Sequence, residues 1–144
     1  MRMGRLLAWL DPRGRLSRRA YGRLFVRLTL LSVGLLCLAI WVAAQGFRDA
    51  ALAVAACAAL VWVASFALAV RRLHDRGRTG WWLAVYLVLA ALSLLPLERA
   101  ADAHPVLVTA YALGSLGFSL WFLIETLGRR GRPGLNRFGL PPED

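Results

Sequence analysis

The stretch Arg71-Arg72-Leu73-His74-Asp75-Arg76-Gly77-Arg78-Thr79-Gly80 is a dense polar segment between two long apolar runs, and it leads directly into Trp81-Trp82. A bilayer admits only backbone that satisfies its own hydrogen bonds, so an apolar run crosses as helix and a polar break lies outside the hydrocarbon. Arg-rich connections stay on the cytoplasmic side and Trp settles at headgroup level. The segment therefore constrains topology, and its Arg, His and Asp make it the first place to look for a function.

Apolar residues are 59% of the 144, more than a soluble domain of this size carries. Four apolar runs, 24–44, 50–70, 81–97 and 106–124, each span about 25 to 32 Å at about 1.5 Å per residue, near one hydrocarbon thickness. All 18 basic residues are Arg, and sixteen of them fall within residues 1–27, 71–80 and 125–144, leaving Arg48 and Arg99 elsewhere. The positive-inside rule assigns the three Arg-rich segments to the cytoplasm, which requires an even number of crossings. The expected fold class is all-α: a polytopic membrane protein with four transmembrane helices in a bundle and both termini cytoplasmic. It forms a single membrane domain over residues 1–144, with a basic N-terminal segment at 1–23, the Arg-His-Asp loop at 71–80 and a cytoplasmic tail at 125–144.

The net charge of +10 lies beside apolar spans rather than over a soluble face, so nucleic acid is not an expected partner. Met3, Leu6, Leu7 and Leu10 recur at helical spacing opposite Arg2 and Arg5, the pattern of a short helix lying on the inner leaflet. Ser17 has the character of an N-cap, and Arg19, Arg23 and Arg27 follow at spacings of four, placing three guanidiniums along one helix edge. The Ala-rich second run reads as an interior helix. Ala110, Gly114 and Gly117 of the fourth run form a face suited to close helix crossing or to homo-oligomer formation. Trp41, Trp81, Trp82 and Trp121 fit an aromatic belt. Cys37 and Cys57 read as packing residues, since no metal-ligand spacing accompanies them.

Three blocks together resemble a bacterial inner-membrane family known as domain of unknown function 805. They are Gly14-Arg15-Leu16-Ser17-Arg18-Arg19-Ala20-Tyr21, then Arg71 through Trp82, and finally Gly134-Leu135-Asn136-Arg137-Phe138-Gly139. The chain departs from the family pattern at Gly22, Thr79, Leu135 and Leu140, where the family tends to carry Trp, Ser, Pro and Pro. The resemblance implies a multi-pass protein of the bacterial inner, cytoplasmic membrane whose biochemistry is unestablished.

Metal chemistry needs three or four converging His, Cys, Asp or Glu ligands. The chain has only His74 and His104, which the expected topology puts on opposite sides of the membrane, so no metal site and no cofactor are expected. His74 beside Asp75 lacks any strained nucleophile motif, and no catalytic residue is assigned; an enzyme acting on a phosphorylated lipid stays a subordinate alternative. A small-solute or lipid pathway lined by Ser32, Ser65, Ser93, Thr109, Ser115 and Ser119 is the first alternative, although isolated hydroxyls in spans commonly bond their own helix. The leading expectation is a non-enzymatic module whose Arg collar, made of Arg19, Arg23, Arg27, Arg71, Arg72, Arg76 and Arg78, binds anionic phospholipid headgroups or a partner. His74, Asp75, Thr79, Glu125 and Asn136 are expected to fasten the loop, with Asp75 and Glu125 neutralising selected Arg residues, because an unpaired charge near the bilayer costs several kcal/mol.

Overall fold

A computed structural model describes residues 11–142. The amphipathic segment expected around Met3, Leu6, Leu7 and Leu10 lies outside the described residues. Five helices follow in order: α1 Arg18–Ala44, α2 Arg48–Asp75, α3 Trp81–Leu92, α4 Leu97–Ala103 and α5 Pro105–Leu123, the last continued by a π-helical turn over Ile124–Gly128.

Helix α1 begins where Ser17 leaves extended backbone and its hydroxyl accepts the Ala20 N–H at 3.3 Å. The helix therefore starts at Arg18 rather than at the first apolar residue, and Arg19, Arg23 and Arg27 ride on it. It ends at Gln45, after which Gly46 at φ +88° reverses the chain within a few residues into α2. The hairpin is closed by small side chains. Ser32 and Ala39 of α1 and Ala51 and Ala58 of α2 are buried, which lets two backbones approach where lipid supplies no hydrophobic drive. The Ala-rich helix makes its close packing here, whereas Gly114 and Gly117 of α5, read from the sequence as the crossing face, have open space beside them within the chain.

Helix α2 runs past its apolar stretch to Asp75 and is stopped by a Schellman motif. The Arg78 N–H reaches back to the Leu73 carbonyl at 2.8 Å and the Gly77 N–H to the His74 carbonyl at 2.9 Å, with Gly77 at φ +70°. Half of the segment expected to be loop, residues 71–75, is therefore the last turn of a helix, and residues 76–80 connect.

The apolar run 81–97 is not one helix. Helix α3 stops at Leu92, the Ser93 hydroxyl turns back to the Ala90 carbonyl at 2.7 Å, and Pro96 disfavours helical backbone at Leu95. The chain then bends by 78° into α4. Three helices are long and apolar enough to cross a membrane, or four when the bent α3–α4 pair counts as one broken span. At about 1.5 Å per residue α3 rises only about 18 Å, short of a hydrocarbon core of about 30 Å. Pro105 in the first turn then restarts the chain as α5, at a position where the missing N–H is harmless.

The core lies at one end. Tyr21 of α1, Leu68, Ala69 and Leu73 of α2, Leu83 of α3 and Phe122 of α5 are packed together where these four helices meet. Above it, α3 and α5 are joined by an aromatic seam and by the Tyr111 hydroxyl, which donates to the Leu89 carbonyl at 2.6 Å. Trp82 and Trp121 lie 4.8 Å apart inside this seam, while Trp41 and Trp81 are exposed. Cys37 and Cys57 are free and exposed.

Candidate functional site

The first segment, the end of α2 and the returning tail converge at the core end, and charged groups hold them there. Asp75, the last residue of α2, is 2% exposed. Its Oδ1 accepts from Arg15 Nε at 3.0 Å and lies 2.9 Å from Arg15 Nη2, and its Oδ2 pairs with Arg72 one turn back. The Asp75 carbonyl accepts the Arg132 N–H at 3.0 Å, so one residue binds the N-terminal segment through its side chain and the tail through its backbone. Gly131 lies directly over the carboxylate: a Cβ there would sit 2.7 Å from the carboxyl carbon, so the approach admits glycine alone.

Arg15 completes the tie. Its Nη1 donates to the carbonyls of Gly134 at 2.7 Å and Gly139 at 3.2 Å, and its Nη2 to the Arg132 carbonyl. A single guanidinium thus bridges α2 to three points of the tail. Arg72 is wholly buried: Nε donates to the Thr126 carbonyl at 2.8 Å, Nη1 to the Leu16 carbonyl at 3.4 Å and Nη2 to the Arg129 carbonyl.

Why carbonyls dominate follows from the end of α5. A helix leaves its last carbonyls without partners and carries partial negative charge there, which cations complement. Here Arg72 takes Thr126 and Arg129, Arg18 takes Gly128 at 3.0 Å, and Arg76 takes Arg130. The π-helical turn places Glu125 and Thr126, 1% and 2% exposed, toward the bundle.

Glu125 is the second carboxylate. Its Oε1 accepts from Arg78 Nε at 2.7 Å and Arg76 Nε at 3.2 Å, and Oε2 faces Arg129 Nη1 at 3.3 Å. Arg78 also lies over the faces of Trp82 and Trp121, at 5.3 and 5.0 Å from the ring centroids, which anchors the ion pair to the aromatic seam.

His74 is held flat. Its ring stacks on Phe138 at 3.8 Å and 6°, and its Nδ1 lies 3.2 Å from the Gly14 carbonyl, which assigns the proton to Nδ1. The His74 carbonyl accepts from Asn136 Nδ2 at 3.0 Å, and Asn136 Oδ1 takes the Phe138 N–H at 2.8 Å, shaping the small turn closed by the Asn136–Gly139 pairing.

The residues singled out in the sequence fall into distinct places. His74, Asp75, Glu125 and Asn136 lie in one connected network, and Thr79 contributes its carbonyl to the Trp82 N–H at 3.4 Å. Arg72, Arg76 and Arg78 have their charge engaged inside the protein. Arg71 is half-buried; its carbonyl accepts the Leu16 N–H at 3.2 Å, and its Nε is buried without a partner among the described residues. Arg19, Arg23 and Arg27 are exposed and form no ion pair among the described residues. The sequence reading missed Arg15, Thr126, Gly131 and Phe138. Arg15 and Phe138 stand inside the first and last of the three blocks, the one signal that pointed to them.

Among the described residues no three His, Cys, Asp or Glu side chains come close enough to hold a metal ion. The arrangement is a helical fold with membrane-spanning character, closed at one end by a knot of buried guanidiniums, carboxylates and carbonyls. The chain belongs to the family described as Protein of unknown function (DUF805), whose model matches residues 9–140 and so takes in every residue of the knot. No curated protein and no solved structure matches the chain.

Proposed function

We propose that the protein is a non-enzymatic module of the bacterial inner membrane, whose knot braces the cytoplasmic end so that surplus guanidiniums form a collar for anionic phospholipid headgroups. The observation that carries this reading is the surplus itself. Asp75 and Glu125 are both matched within the knot, while Arg19, Arg23 and Arg27 stand exposed along the edge of α1 leading into its apolar stretch. Guanidiniums fork onto phosphate oxygens, and long basic side chains reach the headgroup layer from inside a span. The joining of residues 14–16, 72–78 and 125–139 at one end supports four crossings with the bent α3–α4 pair as the third, and the Arg excess at that end supports a cytoplasmic placement. The engagement of His74 and Asp75 by Phe138, Gly14, Arg15 and Arg72 favours a bracing role over a catalytic one.

The test is native mass spectrometry of protein extracted with its lipids. R23Q/R27Q, which alters no contact of the knot, is expected to reduce retained phosphatidylglycerol and cardiolipin severalfold, with phosphatidylethanolamine unchanged. Equal retention of anionic lipid by both chains would remove the collar as the binding surface.

A second reading, a pathway for a small solute or lipid, draws on the break at Ser93–Pro96, since discontinuous helices frame the sites of many transporters. Solute flux into proteoliposomes that is lost on restoring helical sequence with P96A would favour it.

A further inference from the structure

A cleft of about 430 Å³ opens between the first turn of α1 and the returning tail. Arg15, Arg18 and Arg19 line one wall, Arg130 and Arg132 the other, and Asp75 contributes to the floor. The carboxylate does not serve the cleft's guanidiniums equally, because its oxygens are taken by Arg15 and Arg72. Arg18 gives one donor to the Gly128 carbonyl, and Arg18, Arg19, Arg130 and Arg132 form no ion pair among the described residues. Cationic residues from two segments more than a hundred residues apart therefore line one concavity, with the Arg132 side chain also packed over Gly77 at the end of α2.

The walls are fixed independently of any ligand. Arg132 is pinned through its backbone, N–H to the Asp75 carbonyl and C=O to Arg15, and Ser17 caps the helix that carries Arg18 and Arg19. Like charges brought together on one frame repel, and an anion between them relieves the repulsion more fully than water and salt do. The cleft lies in the range of small-molecule sites, about 300 to 1,000 Å³, and exceeds what one inorganic phosphate fills. Planar guanidiniums on facing walls match several oxygens on a divided anion better than a single point charge.

We propose that this cleft binds an anion carrying two phosphate groups. The inference rests on the reading of this end as anion-binding, and it adds a discrete site, distinct from the exposed edge at Arg23 and Arg27. Two sources offer the chemistry: a lipid headgroup with two phosphates, or a soluble diphosphate.

Full-length protein in phosphatidylcholine nanodiscs is titrated with inorganic pyrophosphate by calorimetry, and separately loaded with cardiolipin and read by native mass spectrometry. R130Q/R132Q is the test variant, since neither side chain donates a hydrogen bond or forms an ion pair within the knot; its melting temperature reports whether the fold is kept. R18Q/R19Q changes the opposite wall. Saturable pyrophosphate binding at one per chain, weakened at least tenfold by R130Q/R132Q and by R18Q/R19Q, supports the site with a soluble ligand. No pyrophosphate binding, but one cardiolipin per chain that both variants release, supports it with a lipid ligand. Binding of neither probe, or binding that the variants leave unchanged, overturns the proposal. So does pyrophosphate binding that emerges only in E143Q/D144N, which would make the chain's own carboxylates the resident anions. R23Q/R27Q keeps the two readings apart: loss of bulk anionic lipid in that variant, with no effect of R130Q/R132Q, leaves the collar standing and removes the cleft.

Discussion

Asp75 and Glu125 sit at the same end of the bundle, each almost fully buried and each facing more than one guanidinium, yet they are built differently. The partners of Asp75, Arg15 and Arg72, have side chains 1% and 0% exposed. Those of Glu125, namely Arg76, Arg78 and Arg129, are 16%, 31% and 54% exposed. Around Asp75 the guanidiniums have no water to turn to, and each also holds the backbone of a distant segment. Around Glu125 they graduate toward solvent. Burial of the partners, more than their number, determines how much a carboxylate matters, because removing one side of a desolvated pair leaves a charge with no alternative.

The strongest way to break the contrast is D75N, which keeps the shape and leaves Arg15 and Arg72 facing a neutral amide. The expected loss is about 3 to 5 kcal/mol, read as a lowered midpoint of thermal unfolding in detergent. E125Q is expected to lose less, about 1 to 3 kcal/mol, since Arg76, Arg78 and Arg129 can rehydrate. Equal losses in these two variants would mean that partner burial does not distinguish the centres. R129Q sharpens the comparison at its weak edge: the exposed Arg129 pair is expected to contribute under about 0.5 kcal/mol. A loss comparable to that of E125Q would show that Glu125 depends on its Oε2 partner rather than on Arg76 and Arg78.

The apolar runs were legible because lipid-facing helix has one dominant requirement, and Ser17 and the Ala-rich second run carry local signals of cap and close packing. The break in α3 was harder to read. Leu94 and Leu95 keep the hydropathy high across it, so Pro96 looks like the end of one helix when it lies at the 78° bend between two. Asp75 and Glu125 could be picked out as the carboxylates nearest the Arg clusters, but their partners could not. Arg15 precedes the first helix and has no periodic neighbour, and its principal acceptors are carbonyls of Arg132, Gly134 and Gly139, which every residue possesses and no side-chain pattern announces. The same holds for the π-helical turn, whose Thr126 carbonyl receives Arg72. Gly131 is informative only after the carboxylate beneath it is known.

The hydrogen bonds from Arg15 to Gly134 and Gly139 join positions 119 and 124 residues apart. During synthesis the Arg15 guanidinium emerges early, and Asp75 follows with the second helix, while the carbonyls that complete the knot are made near the end. Loop closure over such separations is slow and comes late. Until then the hairpin of the first two helices carries a half-finished charge cluster that only the tail can close. The knot thus acts as a time stamp: a chain truncated or stalled before residue 132 has its apolar helices but not its seal, and differs from the finished protein at the end where the three segments meet.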